Sequence, residues 1–119
     1  MASSESRLRV RKEDGITQVE FVDRNILDEA NIQRIGEEIT EIIESDSEPK
    51  LLISFSNVDH LSSAALGTLI TIHNRLKQKG GQLRLANIDP QIYEVFMITK
   101  LNKLFDIHET GEQAIESFG

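Results

Sequence analysis

Asp59, His60 and Ser63 lie within five consecutive positions. An acid, a base and a hydroxyl are the parts of a nucleophilic site. Such a site needs the three groups within hydrogen-bond reach of one another, and an elbow such as G-x-S-x-G to hold the serine exposed. No such elbow surrounds Ser63. Enzyme activity is therefore not expected, and His60 reads as a loop or strand-end side chain. His60, His73 and His108 fall at no spacing that sets two ligands on one face, so neither a metal nor a cofactor is expected. Gly80-Gly81 lacks the other glycines and the Lys-Ser/Thr of a phosphate-cradling loop. It reads as a helix stop.

What remains is the chemistry of two serines. Ser62 and Ser63 open a predicted helix whose first residues, Ala64, Ala65 and Gly67, carry almost no side chain. The first-turn N–H groups of a helix have no partner within it, and the macrodipole makes that end electropositive. A serine there is a good cap, stabilising by about 1 kcal/mol. It is also a position where a phosphate is electrostatically tolerated. Spacing alone leaves both roles open. If Ser63 is the modified residue, it acts as a switch on the binding of a partner whose backbone approaches over the small residues.

The surrounding elements follow from periodicity. Leu8–Lys12 and Ile16–Asp23 flank Asp14-Gly15, a dipeptide suited to a tight hairpin turn. Thr17, Val19 and Phe21 alternate with polar residues, as in a strand with one face buried. From Asp28 to Glu44 the period becomes helical, with Ile32, Ile35, Ile39, Ile42 and Ile43 on one face and Asp28 placed as cap. Leu51–Phe55 is a short apolar run, as in a strand covered on both faces. The second helix spans Ser63–Lys79 with Ala65, Leu66, Leu69, Ile72 and Leu76 as its core stripe, and Gly80-Gly81 ends it. Gln82–Ala86 reads as a strand. A third helix starts at Pro90 and turns Ile92, Val95 and Phe96 inward. Leu104–His108 reads as a last strand, and Glu112–Phe118 as a closing helix with Ala114, Ile115 and Phe118 facing in. The order β-β-α-β-α-β-α-β-α predicts an α/β domain with a mostly parallel central sheet, an N-terminal antiparallel hairpin and about four helices.

Composition narrows the class. The 119 residues suit one domain with a single core. Cysteine is absent, which excludes disulfides and thiolate chemistry. Thirteen basic against twenty acidic residues give a net charge of −7, which disfavours nucleic-acid binding. Eight carboxylates and one arginine lie between Asp28 and Glu48, which reads as a solvated helix face or a surface that steers a basic partner. No apolar run reaches the ~18 residues that would span a bilayer. Met1–Ser6 is polar and lacks a signal-peptide core, so a disordered N-terminus and a cytoplasmic location are expected.

The stretch K-L-L-I-S-F-S-N-V-D-H-L-S-S-A-A-L-G-T-L, followed by K-G-G-Q-L-R-L, resembles the STAS domain of bacterial anti-sigma factor antagonists. Thr99-Lys100-Leu101-Asn102-Lys103-Leu104-Phe105 is similar to the family's T-G-L-D-x-L-F, and Ile26-Leu27-Asp28 to its G-x-L-D. The likeness covers about residues 7–118, and implies a single STAS-like domain over residues 1–119. It also implies that the unphosphorylated chain binds a serine-kinase anti-sigma factor and so frees a sigma factor in stress or sporulation signalling. Phosphorylation then breaks the complex, and a PP2C-type phosphatase resets it. On the family motif D-S-S/T-G-L-G, Ser63 takes the place of the phosphorylated serine, with Ser62 as second choice. Leu66 and Gly67 match the motif's end, and Asp28 the aspartate beside the partner surface. The implied partner-binding set is Asp28, Asp59, His60, Leu61, Ser62, Ser63, Ala64, Leu66 and Gly67. Ser62 replaces the family's aspartate, and Ala64-Ala65 its S/T-G pair. The alternative is a non-phosphorylated STAS interaction module within a larger signalling or transport assembly.

Overall fold

The computed structural model describes residues 8–45, 47 and 49–118. The expected disordered N-terminus, residues 1–6, lies outside them. Strands β1 (Leu8–Glu13) and β2 (Ile16–Phe21) form the antiparallel hairpin. Asp14 and Gly15 take φ of 54° and 80° at its turn, the pair of positive angles that lets a two-residue loop follow the twist of the strands. Strand β3 (Asn25–Ile26) precedes helix α1 (Glu29–Glu44), which leads to β4 (Lys50–Ser54). Strand β5 (His60–Leu61) precedes α2 (Ser63–Gln78), followed by β6 (Gln82–Ala86), α3 (Pro90–Ile98), β7 (Ile107–His108) and α4 (Gly111–Ser117).

Five strands make the main sheet in the order β1-β2-β4-β6-β7. All its pairings except β1–β2 are parallel. Alternation along each strand divides the core. Val19, Leu51, Ile53, Leu83 and Leu85 point to the face that carries the apolar stripes of α1 and α2. Ile16, Leu52 and Ala86 point to the other face, against Ala114 of α4, with Ile115 and Phe118 packed alongside. Four phenylalanines tie the first of these faces together. Phe55 meets Phe21 at 5.3 Å and Phe96 at 6.4 Å between ring centroids, and Phe96 meets Phe105 at 5.9 Å, all in the tilted or edge-on arrangements that the ring quadrupole favours.

All five predicted core positions of α2 are buried, and so are Ile32, Ile35, Ile39 and Ile43 of α1. Helix α2 ends in a Schellman motif. The Gly80 N–H donates to the Lys77 carbonyl and the Gly81 N–H to that of Leu76, with Gly80 at φ 74°.

Two expectations need correction, and two short strands add to the expected order. Val95 was expected inward but is 38% exposed. Ile92 and Phe96, four residues apart, are the pair that α3 turns into the core, and Val95 lies a quarter-turn round from Phe96. The last strand does not begin at Leu104. The N–H groups of Leu104 and Phe105 both reach back to the Leu101 carbonyl, so the chain turns there and is extended only at Ile107–His108. Strands β3 and β5 were not anticipated. They pair with each other in parallel, apart from the main sheet.

Candidate functional site

The two unanticipated strands build the site. Asn25 pairs with His60 and Ile26 with Leu61, and the ladder continues with the Ser62 N–H donating to the Ile26 carbonyl at 3.1 Å. Two residues after β3 stands Asp28, the N-cap of α1, whose Oδ1 accepts from the Ala30 N–H at 3.0 Å. Immediately after β5 stands Ser62, the N-cap of α2. The short ladder therefore sets the starts of α1 and α2 side by side.

The adjacent serines have different roles. Ser62 is extended (φ −83°, ψ 166°) and half-buried, and its Oγ accepts from the Ala65 N–H at 3.2 Å. Ser63 occupies the first helical position and is exposed. Among the described residues its hydroxyl has no hydrogen-bond partner. The first turn of α2 contains no acidic residue, so the positive end of its dipole is not offset from within the helix. The N–H groups of Ser63 and Ala64 stand outside the intrahelical ladder. An anion on the Ser63 side chain would meet a favourable field.

The other predicted residues are distributed as follows. His60, Ala64 and Gly67 are exposed, and Asp59 and Leu61 are half-buried. A Cβ added at Gly67 would meet nothing within 4 Å, so the surface there is open. Leu66 is 7% exposed and belongs to the core. Its side chain is not available to a visitor, because it stands three residues before Leu69 on the buried stripe of α2. Ala65 is likewise turned inward.

Asp59, His60 and Ser63 form no relay. The Asp59 carboxylate is engaged by Arg24, with Nε at 2.9 Å and Nη2 at 2.7 Å from Oδ2. Among the described residues the His60 side chain, like that of Ser63, has no hydrogen-bond partner. His73 lies on α2 with its ring 5.5 Å edge-on from Phe105, and its pKa is lowered by burial first and by the charge of Lys77 second. Among the described residues no group of three or more His, Asp or Glu side chains is placed to hold a metal ion. No helix of the described residues is long and apolar enough to cross a membrane.

Arg24 is the residue that sequence reasoning missed. A single arginine before a two-residue strand leaves no periodic signal, and its partner lies 35 positions away.

With this geometry in hand, comparison with known proteins defines the class. The STAS domain family matches residues 7–114, and the chain belongs to that family. The anti-sigma-B factor antagonist of Bacillus subtilis is 29% identical over 66 residues, a match spanning 56% of this chain and 61% of that protein. An anti-sigma-factor antagonist (STAS) domain protein from Planctomyces limnophilus superposes with a TM-score of 0.84 at 22% identity, over 92% of this chain and 96% of that one. The Bacillus cell fate determinant SpoIIAA in its phosphorylated form superposes with a TM-score of 0.70 at 17% identity, over 92% of this chain and 96% of that one. At such identities the two superpositions establish the shared fold.

Proposed function

We propose that this chain is an anti-sigma factor antagonist that works by binding, not by catalysis. In the cytoplasm it engages a serine-kinase anti-sigma factor through the paired starts of α1 and α2. Phosphorylation of Ser63 releases it, and a PP2C-type phosphatase restores the binding form. The observation that carries this reading is that Ser63 is exposed and unbonded at the first position of α2, while its neighbour Ser62 does the capping. Curated relatives named as anti-sigma factor antagonists support the partner class. The solved phosphorylated form of SpoIIAA supports the modification.

The physical switch is local. A phosphate adds a charge of about −1.5 to −2 and three acceptor oxygens. The α2 N-terminus accommodates it, so the domain keeps its shape. At an interface the same group brings bulk, desolvation and repulsion from partner carboxylates, and a penalty of ~3 kcal/mol weakens binding about a hundredfold. Ser62 is the poorer acceptor, because its Oγ is half-buried and already engaged by the Ala65 N–H. The partner-facing set is Asp28, His60, Leu61, Ser62, Ser63, Ala64 and Gly67, and Asp59 stands beside it with its carboxylate held by Arg24. Leu66 acts through packing.

The test pairs binding with mass. The chain is used to capture its anti-sigma factor from the native host, and the captured kinase is then supplied with ATP. A mass gain of one phosphate on wild type but not on Ser63→Ala, with Ser63→Asp failing to bind, is expected. An unchanged mass, with Ser63→Asp binding as wild type does, overturns the reading and leaves a STAS module whose serine is structural.

A further inference from the structure

Arg24 and Asp59 are joined through both backbone and side chain. The Arg24 carbonyl accepts from the N–H of Asp59 at 2.7 Å and from that of His60 at 3.2 Å. Its guanidinium places Nε 2.9 Å and Nη2 2.7 Å from Asp59 Oδ2. One residue thus grips the loop into α2 from two sides. The Arg24 side chain is 74% exposed and that of Asp59 43%, and an ion pair this open to water adds little to global stability. Its leverage is local. The grip stands at the head of the β3–β5 ladder, whose two residue pairs run directly into Asp28 on one side and Ser62-Ser63 on the other.

We propose that Arg24 is a positioning residue: by holding Asp59 it fixes the lead-in to α2 against that of α1, and so presents Ser63 beside Asp28 to the kinase partner. This rests on Ser63 being the acceptor. Asp59 then serves the site as the anchored end of a clamp, with its carboxylate turned to Arg24 and not to an incoming group.

The variants Arg24→Ala, Asp59→Ala and their combination are compared by amide hydrogen exchange on the free chain, and by phosphorylation kinetics with the kinase that modifies wild type. In each single variant the Ser62 N–H, which donates to Ile26, should exchange about fivefold faster while α4 and β6 are unchanged. The double variant should be no faster than either single one, as expected of two groups acting as a pair. KM for the chain as substrate should rise by a similar factor with kcat preserved. Ser62 exchange within about twofold of wild type, an equal rise throughout the molecule, or an unchanged KM overturns the proposal. If no kinase modifies wild type, the acceptor role of Ser63 falls, and the exchange measurement still decides whether Arg24 positions this end of the fold.

Discussion

The Ser62 N–H and the Ile26 carbonyl are 3.1 Å apart, so the residue that caps α2 is also the last rung of the ladder leading into α1. Ser62 is committed twice, by its backbone to Ile26 and by its side chain to Ala65. Ser63 beside it carries neither burden. This difference between neighbours of identical chemistry is measurable as stability.

Ser62→Ala should cost about 1 kcal/mol of unfolding free energy, the value of a lost cap. Ser63→Ala should change stability by less than about 0.5 kcal/mol, as expected of an exposed side chain without partners. Urea denaturation of the two variants separates them, and equal losses would mean that the capping is shared.

Gly67→Ala should raise stability by roughly 0.5–1 kcal/mol, because an exposed helical glycine gives way to the best helix former in open space. The added methyl stands on the surface offered to the partner, so affinity should fall while the melting temperature rises. A variant that gains stability and binds as before would show that the partner does not approach α2 at this point.

Lys100 holds φ at 65° just beyond the end of α3. A left-handed conformation costs a non-glycine residue about 1–2 kcal/mol, and glycine gives back roughly 0.4–1 kcal/mol of that through the freer unfolded chain. Lys100→Gly should therefore stabilise by about 0.5 kcal/mol, read as a higher urea midpoint at an unchanged slope. A lower midpoint would refute the strain.

The lowered pKa of His73 has a definite sign. Burial and Lys77 disfavour the imidazolium in the folded state, so the folded chain binds this proton less tightly than the unfolded chain does. The associated stability is complete above pH ~6.5 and is lost as the pH falls through the lowered folded value. Denaturation at about pH 7.5 and pH 5 should show wild type losing more than His73→Gln. Equal losses would remove His73 from the acid response.

Much of this was legible from pattern. The stripe of α2, the Asp28 cap, the Asp14-Gly15 turn and the Gly80 stop each rest on a local rule that the tertiary structure did not override. The misses share a cause. A two-residue strand carries no period, so β3 and β5 exist only through the proximity that the rest of the fold imposes, and the Arg24–Asp59 grip depends on the same proximity. Helix α3 is short, and Gln91 and Glu94 give it only a narrow polar edge, too little to say that Ile92 and Phe96 are inside while Val95 is out. Two adjacent serines at a helix start fit either assignment of cap and first residue, since helix ends are uncertain by a position or more. That single position separates the hydroxyl that is tied down from the one that is free.

The β3–β5 ladder shares no rung with the five-stranded sheet. Exchanging its exposed residues, Asn25 and His60, for those of a relative would alter the surface beside the α2 start while the main sheet and the buried Ile26 stayed as they are. A scaffold divided in this way lets recognition diversify without putting folding at risk.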